Sequence, residues 1–357
     1  MPIPKKNQLV GIDIGSHSIK VAEIEDSKKG MIFRNFGMIR LPQGSIAEGS
    51  VKEMDVVSAA LKKLLKNLKI KNKDIATSIS GYSIIVKKIS IPKKEDKELE
   101  KIIQSEAEQY IPFDINDVNL DFQILPSEQK EAEGNREEQM EVLLVAAKKD
   151  IVEEYKNLFQ IIECNPIVLD IDAFALQNAF EISNHEQTGC HALAHIGAQQ
   201  LTINIIKDGV SIFTRDSSHG GDQITREIQR KFDISFQEAE RLKLGALPID
   251  PEKRPEVEEI FISAVEKWAH EIRRALDFVG TTLADVRVED ILLSGGSSLI
   301  PGFSQYVKIE TGLEVEMLDP FANLEINEKL FDMEYLNHMK PIAAIAVGLA
   351  LRSIGDR

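Results

Sequence analysis

A chain of 357 residues with 43% hydrophobic and 28% charged residues is too long for one hydrophobic core and too apolar for disorder, so two or more folded lobes are expected. The net charge of −15 excludes a carpet of lysine and arginine for nucleic-acid backbones. It also disfavours direct docking on an anionic membrane and leaves only a local basic patch for that purpose.

The first ten residues carry two lysines with no apolar run behind them, so no secretory signal is expected. Leu9–Ile14 and Ile19–Ile24 read as two strands joined by a tight turn at Gly15-Ser16, with a third strand over Met31–Ile39. Apolar residues at helical spacing predict a helix over Asp55–Leu68, with Asp55 as its cap. The lysines on that helix, Lys62, Lys63, Lys66 and Lys69, read as its solvated face. Strands follow over Ile75–Ser80 and Ile84–Ile91. A charged helix is expected from Lys93 to Gln109, stopped by Tyr110-Ile111-Pro112-Phe113, with Tyr110 and Phe113 packed inside. Strands Val118–Leu125 and Met140–Ala147 flank a Glu-rich loop, Ser127–Gln139, read as a solvated hairpin tip. These elements suggest a small α/β subdomain at about 84–165, inserted in the first lobe. A helix over Ile151–Ile162, the strand Ile167–Ile171 and a helix over Ala173–Phe180 resume the lobe.

The turn-like stretch His185–Gly189 sets the lobe boundary, giving a first lobe of 1–186 and a second of 187–335. The second lobe opens with Ala192–Ile196, Leu201–Ile206 and Val210–Arg215. Helices over Asp222–Phe232, Phe236–Leu244 and Pro255–Gly280 follow, with Trp268 in the core, then a strand over Asp290–Leu293. A last helix, Lys340–Ser353 within a segment of 336–357, is expected to pack back on the first lobe. Its apolar stretch Pro341–Leu351 is too short to span a bilayer. Cys164 and Cys190 lie outside any metal or disulfide motif and read as buried thiols in a reducing compartment.

The chain echoes itself. Ile12-Asp13-Ile14-Gly15-Ser16-His17-Ser18-Ile19-Lys20-Val21 near the start is matched by Ala194-His195-Ile196-Gly197-Ala198-Gln199-Gln200-Leu201-Thr202-Ile203 at the opening of the second lobe. Each unit is a strand, an Ile-Gly bend with a small residue, and another strand. Glycine lets backbone approach an anion, and successive N–H groups at such a bend can face one, so two bends can grip a polyphosphate from both sides of a cleft. Two ordinary hairpins are the competing reading. Gly295-Gly296-Ser297 at the end of a strand is where open α/β sheets place ligands, and is equally readable as a plain strand-to-helix turn.

These features resemble the actin, Hsp70 and sugar-kinase superfamily, which implies a two-lobed, ribonuclease H-like α/β fold. The resemblance matches Asp13 and Lys20 to the phosphate-1 aspartate and the lysine seven positions on. It implies ATP contacts from Gly15, Ser16, His17, Ser18 and Lys20 in the first turn, and from His195, Gly197, Ala198 and Gln199 in the second. Gly220, Gly221 and Asp222 resemble a glycine turn opening a helix, with amides near the nucleotide. Ala239-Glu240-Arg241-Leu242-Lys243 resembles a nucleoside-contacting segment, with Glu240 and Lys243 on one helix face; a surface ion pair is the competing reading. Gly295, Gly296 and Ser297 match the adenosine turn.

Within the superfamily the chain is similar to the PilM-like proteins of type IV pilus assembly, with the FtsA-like division proteins as cousins. Glu108-Gln109-Tyr110-Ile111-Pro112-Phe113 and Asp170-Ile171-Asp172-Ala173-Phe174 carry that likeness. It implies an ATP- and Mg2+-binding cytoplasmic scaffold, held at the inner membrane through partners. The expected partners are the cytoplasmic tail of a PilN-like membrane protein, bound in a groove on the first lobe, and other platform and motor proteins. An FtsA-like cytoskeletal protein and a kinase-type ATPase are the alternatives. The departure is His195, where the family carries an aspartate. Imidazole is a poor partner for hydrated Mg2+, so hydrolysis is expected to be weak or absent. Asp13 is then the metal-organising carboxylate, and Asp170 the candidate for a second catalytic one. His17 and His195 facing each other as a metal pair is a further, weaker reading.

Overall fold

The apolar runs at the start form three antiparallel strands, β1 (Val10–Ile14), β2 (Ser18–Ser27) and β3 (Gly30–Arg40). Every residue of β1 is buried, as in a strand covered on both faces. The computed structural model describes residues 8–28, 30–92, 96–125, 139–183, 188–283 and 286–355. The N-terminal seven residues, the tip of the Glu-rich loop and most of the turn chosen as the lobe boundary lie outside these.

A short hairpin, β4 (Ile46–Ala47) and β5 (Ser50–Val51), leads to α1 (Met54–Asn67) and β6 (Asp74–Ile79). Glu53, not Asp55, occupies the cap of α1. Asp55 sits in the first turn, where the helix dipole favours a carboxylate. Then β7 (Ile84–Pro92), α2 (Asp96–Ala107), β8 (Val118–Ile124) and β9 (Gln139–Lys148) form a small unit. Its antiparallel sheet, in the order β7-β9-β8, has a core of its own around Ile89, Ile91, Leu99, Ile103, Val142 and Leu144. Tyr110 is exposed rather than packed inside, and Phe113 lies half-buried under the Lys148 ammonium, 4.3 Å from its ring centre. Next comes α3 (Lys149–Ile161), whose Tyr155, Leu158 and Phe159 pack with Val10 and Ile12. This helix therefore belongs to the core of the first sheet, and the small unit closes at Lys148 rather than near 165. β10 (Asn165–Ile171) and α4 (Asp172–Ser183) end this half.

The second half runs β11 (Cys190–Ile196), β12 (Leu201–Lys207), β13 (Val210–Ser217), α5 (Asp222–Phe232), α6 (Phe236–Lys243), α7 (Arg254–Thr282), β14 (Asp290–Ser294), α8 (Phe303–Thr311) and β15 (Glu314–Met317). Trp268 of α7 is fully buried and edge-on to Phe303, at 5.5 Å. The chain ends with β16 (Glu325–Ile326) and α9 (Met333–Ala350).

The two large sheets share one plan. The first has the order β10-β6-β1-β2-β3-β16 and the second β13-β12-β11-β14-β15. In each, three antiparallel strands continue through the first of them into two parallel ones. β16 adds only a two-residue edge to β3.

α9 starts seven residues before Lys340, capped by the Asp332 side chain on the amides of Glu334 and Tyr335. Pro341 lies inside it. Leu336 and Met339 of the early turns pack on Phe33, Phe36 and Phe321, which holds the helix together ahead of the proline. Its later turns touch both halves, with Ala344 beside Leu193 and Ile206, and Ile345 and Leu349 beside Leu9 and Ala76. Among the described residues no helix is long and apolar enough to cross a membrane.

Candidate functional site: a cleft between two matching turns

The β1–β2 and β11–β12 turns are closed by the same hydrogen bond. Gly15 N–H donates to Ser18 O at 3.1 Å, and Gly197 N–H to Gln200 O at 2.8 Å. The strand registers agree as well: Asp13 lies opposite Lys20, and His195 opposite Thr202. Both turns line one cavity of about 360 Å³. Among the described residues the amides of Ser16, His17, Ala198 and Gln199 have no acceptor. The cavity is therefore edged from both sides by uncommitted N–H donors, an arrangement suited to an anion.

The second turn is braced by backbone. A Cβ on Gly220 would lie 2.4 Å from Ala198 O, and one on Gly295 would lie 2.3 Å from Ile196 O, with Gly295 at φ +87°. Gly221 N–H donates to Gly197 O and Asp222 N–H to Ala198 O, at 3.0 and 2.7 Å. These amides were expected near a nucleotide. They are spent on holding the second turn, because β13 delivers the Gly220-Gly221 segment directly beneath it. Ser297 Oγ donates to Gly197 O at 2.9 Å, whereas a Cβ on Gly296 would meet open space.

Charge defines the floor. Lys20 Nζ is 3.0 Å from Asp13 Oδ2, both largely shielded from solvent. Asp172, at the start of α4, accepts from Ser78 Oγ at 2.6 Å and lines the same cavity. Burial and the neighbouring Asp13 push its carboxyl up to about 7. Asp170, the expected second carboxylate, is absent from the cavity wall. Its side chain accepts from Ile171 N–H at 2.8 Å and faces Arg352 at 3.3 Å, because the strand gives way to α4 after Ile171 and the chain direction changes. Of the Asp170-Ile171-Asp172 triplet it is Asp172, not the expected Asp170, that borders the cavity, and Asp216 near the end of β13, which the sequence did not point to, borders it too. Burial pushes the Asp216 carboxyl up, while N–H of Gly81 and Oγ1 of Thr202 donate to it at 2.8 and 2.7 Å.

His195 takes the place in the second turn that Asp13 takes in the first. Its Nδ1 lies 3.0 Å from Ser294 Oγ, and burial, with Lys20 adding, lowers its pKa to about 3. The ring is neutral at physiological pH. His17 also borders the cavity, but its Nδ1 faces Glu240 at 4.0 Å, and no group of three or more metal-ligating side chains occurs among the described residues.

Behind His17, α6 lies beside the cavity without lining it. A capping box, Ser235 with Glu238, fixes where that helix begins and so which residues reach inward one turn later. Glu240 is buried, 2.7 Å from Lys243 Nζ, and accepts from Thr225 Oγ1 at 2.6 Å. Burial works to raise its pKa, but Lys243 and Thr225 outweigh it and hold the carboxylate low. The pair is thus an internal one and not a surface ion pair. Lys243 Nζ also donates to Gly221 O at 3.2 Å, which joins α6 to the brace of the second turn. Ser18 is buried as the first residue of β2. Across the cleft, Ser80 Oγ donates to Gln200 Oε1 at 3.2 Å, beside the Gly81–Asp216 bond.

A duplicated sheet plan with a cleft between paired turns defines the two-lobed actin-like class. Solved structures of that class match along the chain. The ethanolamine utilization protein EutJ from Carboxydothermus hydrogenoformans does so at TM-score 0.55, with 15% identity over 98% of this chain and 90% of its own. MreB5 of Spiroplasma citri does so at 0.52, with 12% identity over 97% and 95%. A much stronger match, at TM-score 0.86, is to a chain of a PilM–PilN type IV pilus biogenesis complex, with 25% identity over 98% of this chain and 100% of that one. The family model of the type IV pilus assembly protein PilM covers residues 11–354, and the chain belongs to that family.

Proposed function

We propose that the protein is an ATP-binding scaffold of the pilus assembly platform, which takes the N-terminal cytoplasmic tail of a PilN-like membrane protein and does not depend on rapid ATP turnover. The observation carrying the nucleotide half is the pair of matching turns with free amides on one cavity, next to Asp13 and Lys20. That donor set fits a polyphosphate. MreB5, which shares only the fold, has been solved with ADP and with AMPPNP. The partner half is supported by the strong likeness to a chain of the PilM–PilN complex.

In this reading the amides of Ser16, His17, Ala198 and Gln199, with Lys20, bind the phosphates, and Glu240 and Lys243 orient the nucleoside. Gly220, Gly221, Gly295 and Ser297 hold the second turn in shape. Asp13 and Asp172, which both border the cavity, would hold Mg2+ through its water shell, since oxygen donors suit that ion. Bound Mg2+ supplies neutralisation of phosphate charge. What the site lacks is an anionic partner at His195. A neutral imidazole tied to Ser294 neither holds a hydrated cation nor attracts an attacking water as a carboxylate does. ATP then acts by biasing the angle between the lobes, and through it the tail-binding surface.

The test is calorimetric titration of the full chain with a synthetic tail peptide, with and without Mg-ATP. Tail binding that tightens by about tenfold with ATP, a typical coupling, supports the scaffold reading. Tail binding indifferent to ATP removes the nucleotide from the function, and no tail binding under either condition removes the partner.

A further inference from the structure

A strongly charged patch of opposite sign to the chain lies on α1 and the loop after it. Between positions 62 and 73 stand Lys62, Lys63, Lys66, Lys69, Lys71 and Lys73 with no acidic residue among them, in a chain of net charge −15. All six are exposed. Among the described residues none of them forms an ion pair with a carboxylate. The opposite face of the helix is already used: Leu61, Leu64 and Leu65 are in the core of the first sheet, and Leu64 and Leu68 cover Gly37.

An ordinary solvated helix face mixes signs in pairs three or four residues apart. Complementing the helix dipole accounts for Lys66 in the last turn, but not for Lys69, Lys71 and Lys73, which lie beyond the helix. The patch follows the convex outside of a helix. It contains no arginine fork for bidentate recognition of phosphate or carboxylate, and no aromatic ring for stacking a base. Flexible point charges on a convex surface suit a diffuse anionic plane, not a shaped ligand.

We infer that α1 and the segment to Lys73 form a contact surface for the anionic headgroups of a bilayer. The chain as a whole is repelled by such a surface, so the patch orients the molecule as well as attracting it, with the first lobe towards the lipid. This does not rest on the tail-binding reading, because a soluble chain with no partner present has the patch.

The experiment is flotation of the full chain with large vesicles of phosphatidylglycerol and phosphatidylethanolamine, against pure phosphatidylcholine, at 50 and 300 mM KCl. The expected result is binding to the anionic vesicles only, weakened strongly by salt. At roughly fivefold per charge at an anionic surface, the K62E/K66E/K69E variant, which removes three positive charges and adds three negative ones, loses well over about a hundredfold in affinity. The charge-neutralising K66Q/K69Q/K71Q variant loses less. A variant with the same charge change on the other half, K253E/K267E/K308E, stays within a few-fold of the parent. Unchanged melting temperature and unchanged Mg-ATP binding exclude misfolding of the variants. Equal binding to phosphatidylcholine, equal loss in both charge-reversed variants, or no binding to anionic vesicles at 50 mM KCl overturns the inference. So does capture of a polyglutamate peptide by a protein that ignores the vesicles, which would make the patch a protein-docking surface.

Discussion

The two turns of the cleft occupy equivalent places in two copies of one sheet plan, yet they are held by different forces. The first turn is fixed by a charge pair, Asp13 with Lys20, and is less tightly walled: a Cβ on Gly15 would come within 3.3 Å of Lys20 Nζ and Ser18 O. The second is fixed by backbone packed on backbone at Gly220 and Gly295, and carries a neutral imidazole where the first carries a carboxylate. The two bends thus share a geometry suited to an anion and differ in what holds it. One turn supplies charge, and the other supplies a rigid wall.

Substitutions that exchange these properties put the contrast at risk. The largest effect is expected from Gly295→Ala, which forces a side chain into left-handed backbone and into Ile196 O. A loss of about 3 kcal/mol or more is predicted in denaturant unfolding, against about 1 kcal/mol or less for Gly15→Ala. Equal losses would erase the distinction between the two turns. Next comes Lys20→Met, which removes the cation beside Asp13. It should weaken Mg-ATP by about a hundredfold, roughly 2.7 kcal/mol, in calorimetry. The matching change at Thr202, to Val, should cost far less.

The acid limb of the stability curve reports the second turn. His195 titrates near 3 in the folded chain and near 6.5 when unfolded, so the unfolded state binds the extra proton between those values. Stability attributable to this residue is present above about 6.5 and falls as pH drops, by up to about 1.4 kcal/mol per pH unit. His195→Asn should flatten that limb in pH-dependent melting, and an unchanged limb would mean that the ring is not buried neutral. Asp172 works the other way. Its raised pKa of about 7 makes the ligand-free protein less stable as pH climbs from about 4 to 7, and Asp172→Asn should remove that slope. The smallest effect is expected from His17→Ala, which opens the His17–Glu240 approach and should speed nucleotide release in stopped flow by a few-fold only.

The paired turns were legible because each is a local hairpin, and a glycine between two apolar runs states its own geometry. That Glu240 and Lys243 pair on one helix face was legible for the same reason, three residues apart, although neither borders the cavity. Asp172 was not, since choosing between it and Asp170 requires knowing where β10 stops and how α4 leaves it, and β10 carries a register shift between Pro166 and Val168. Asp216 depended on the pairing of β13 with β12, which is also shifted, at Ile205 and Ile206. A proline suggests a helix beginning, but the Asp332 cap and contact with the Phe33 cluster keep the two turns before Pro341 helical. The Gly221 and Asp222 amides read from the sequence as facing a ligand, whereas tertiary packing gives them to the second turn.

The central claim is that the cleft binds Mg-ATP without turning it over, and the most direct test follows heat and phosphate release in one sample. The account predicts saturable Mg-ATP binding with negligible release from the parent protein, and measurable release once His195→Asp restores a carboxylate to the second turn. Release of many phosphates per minute from the parent protein would contradict it.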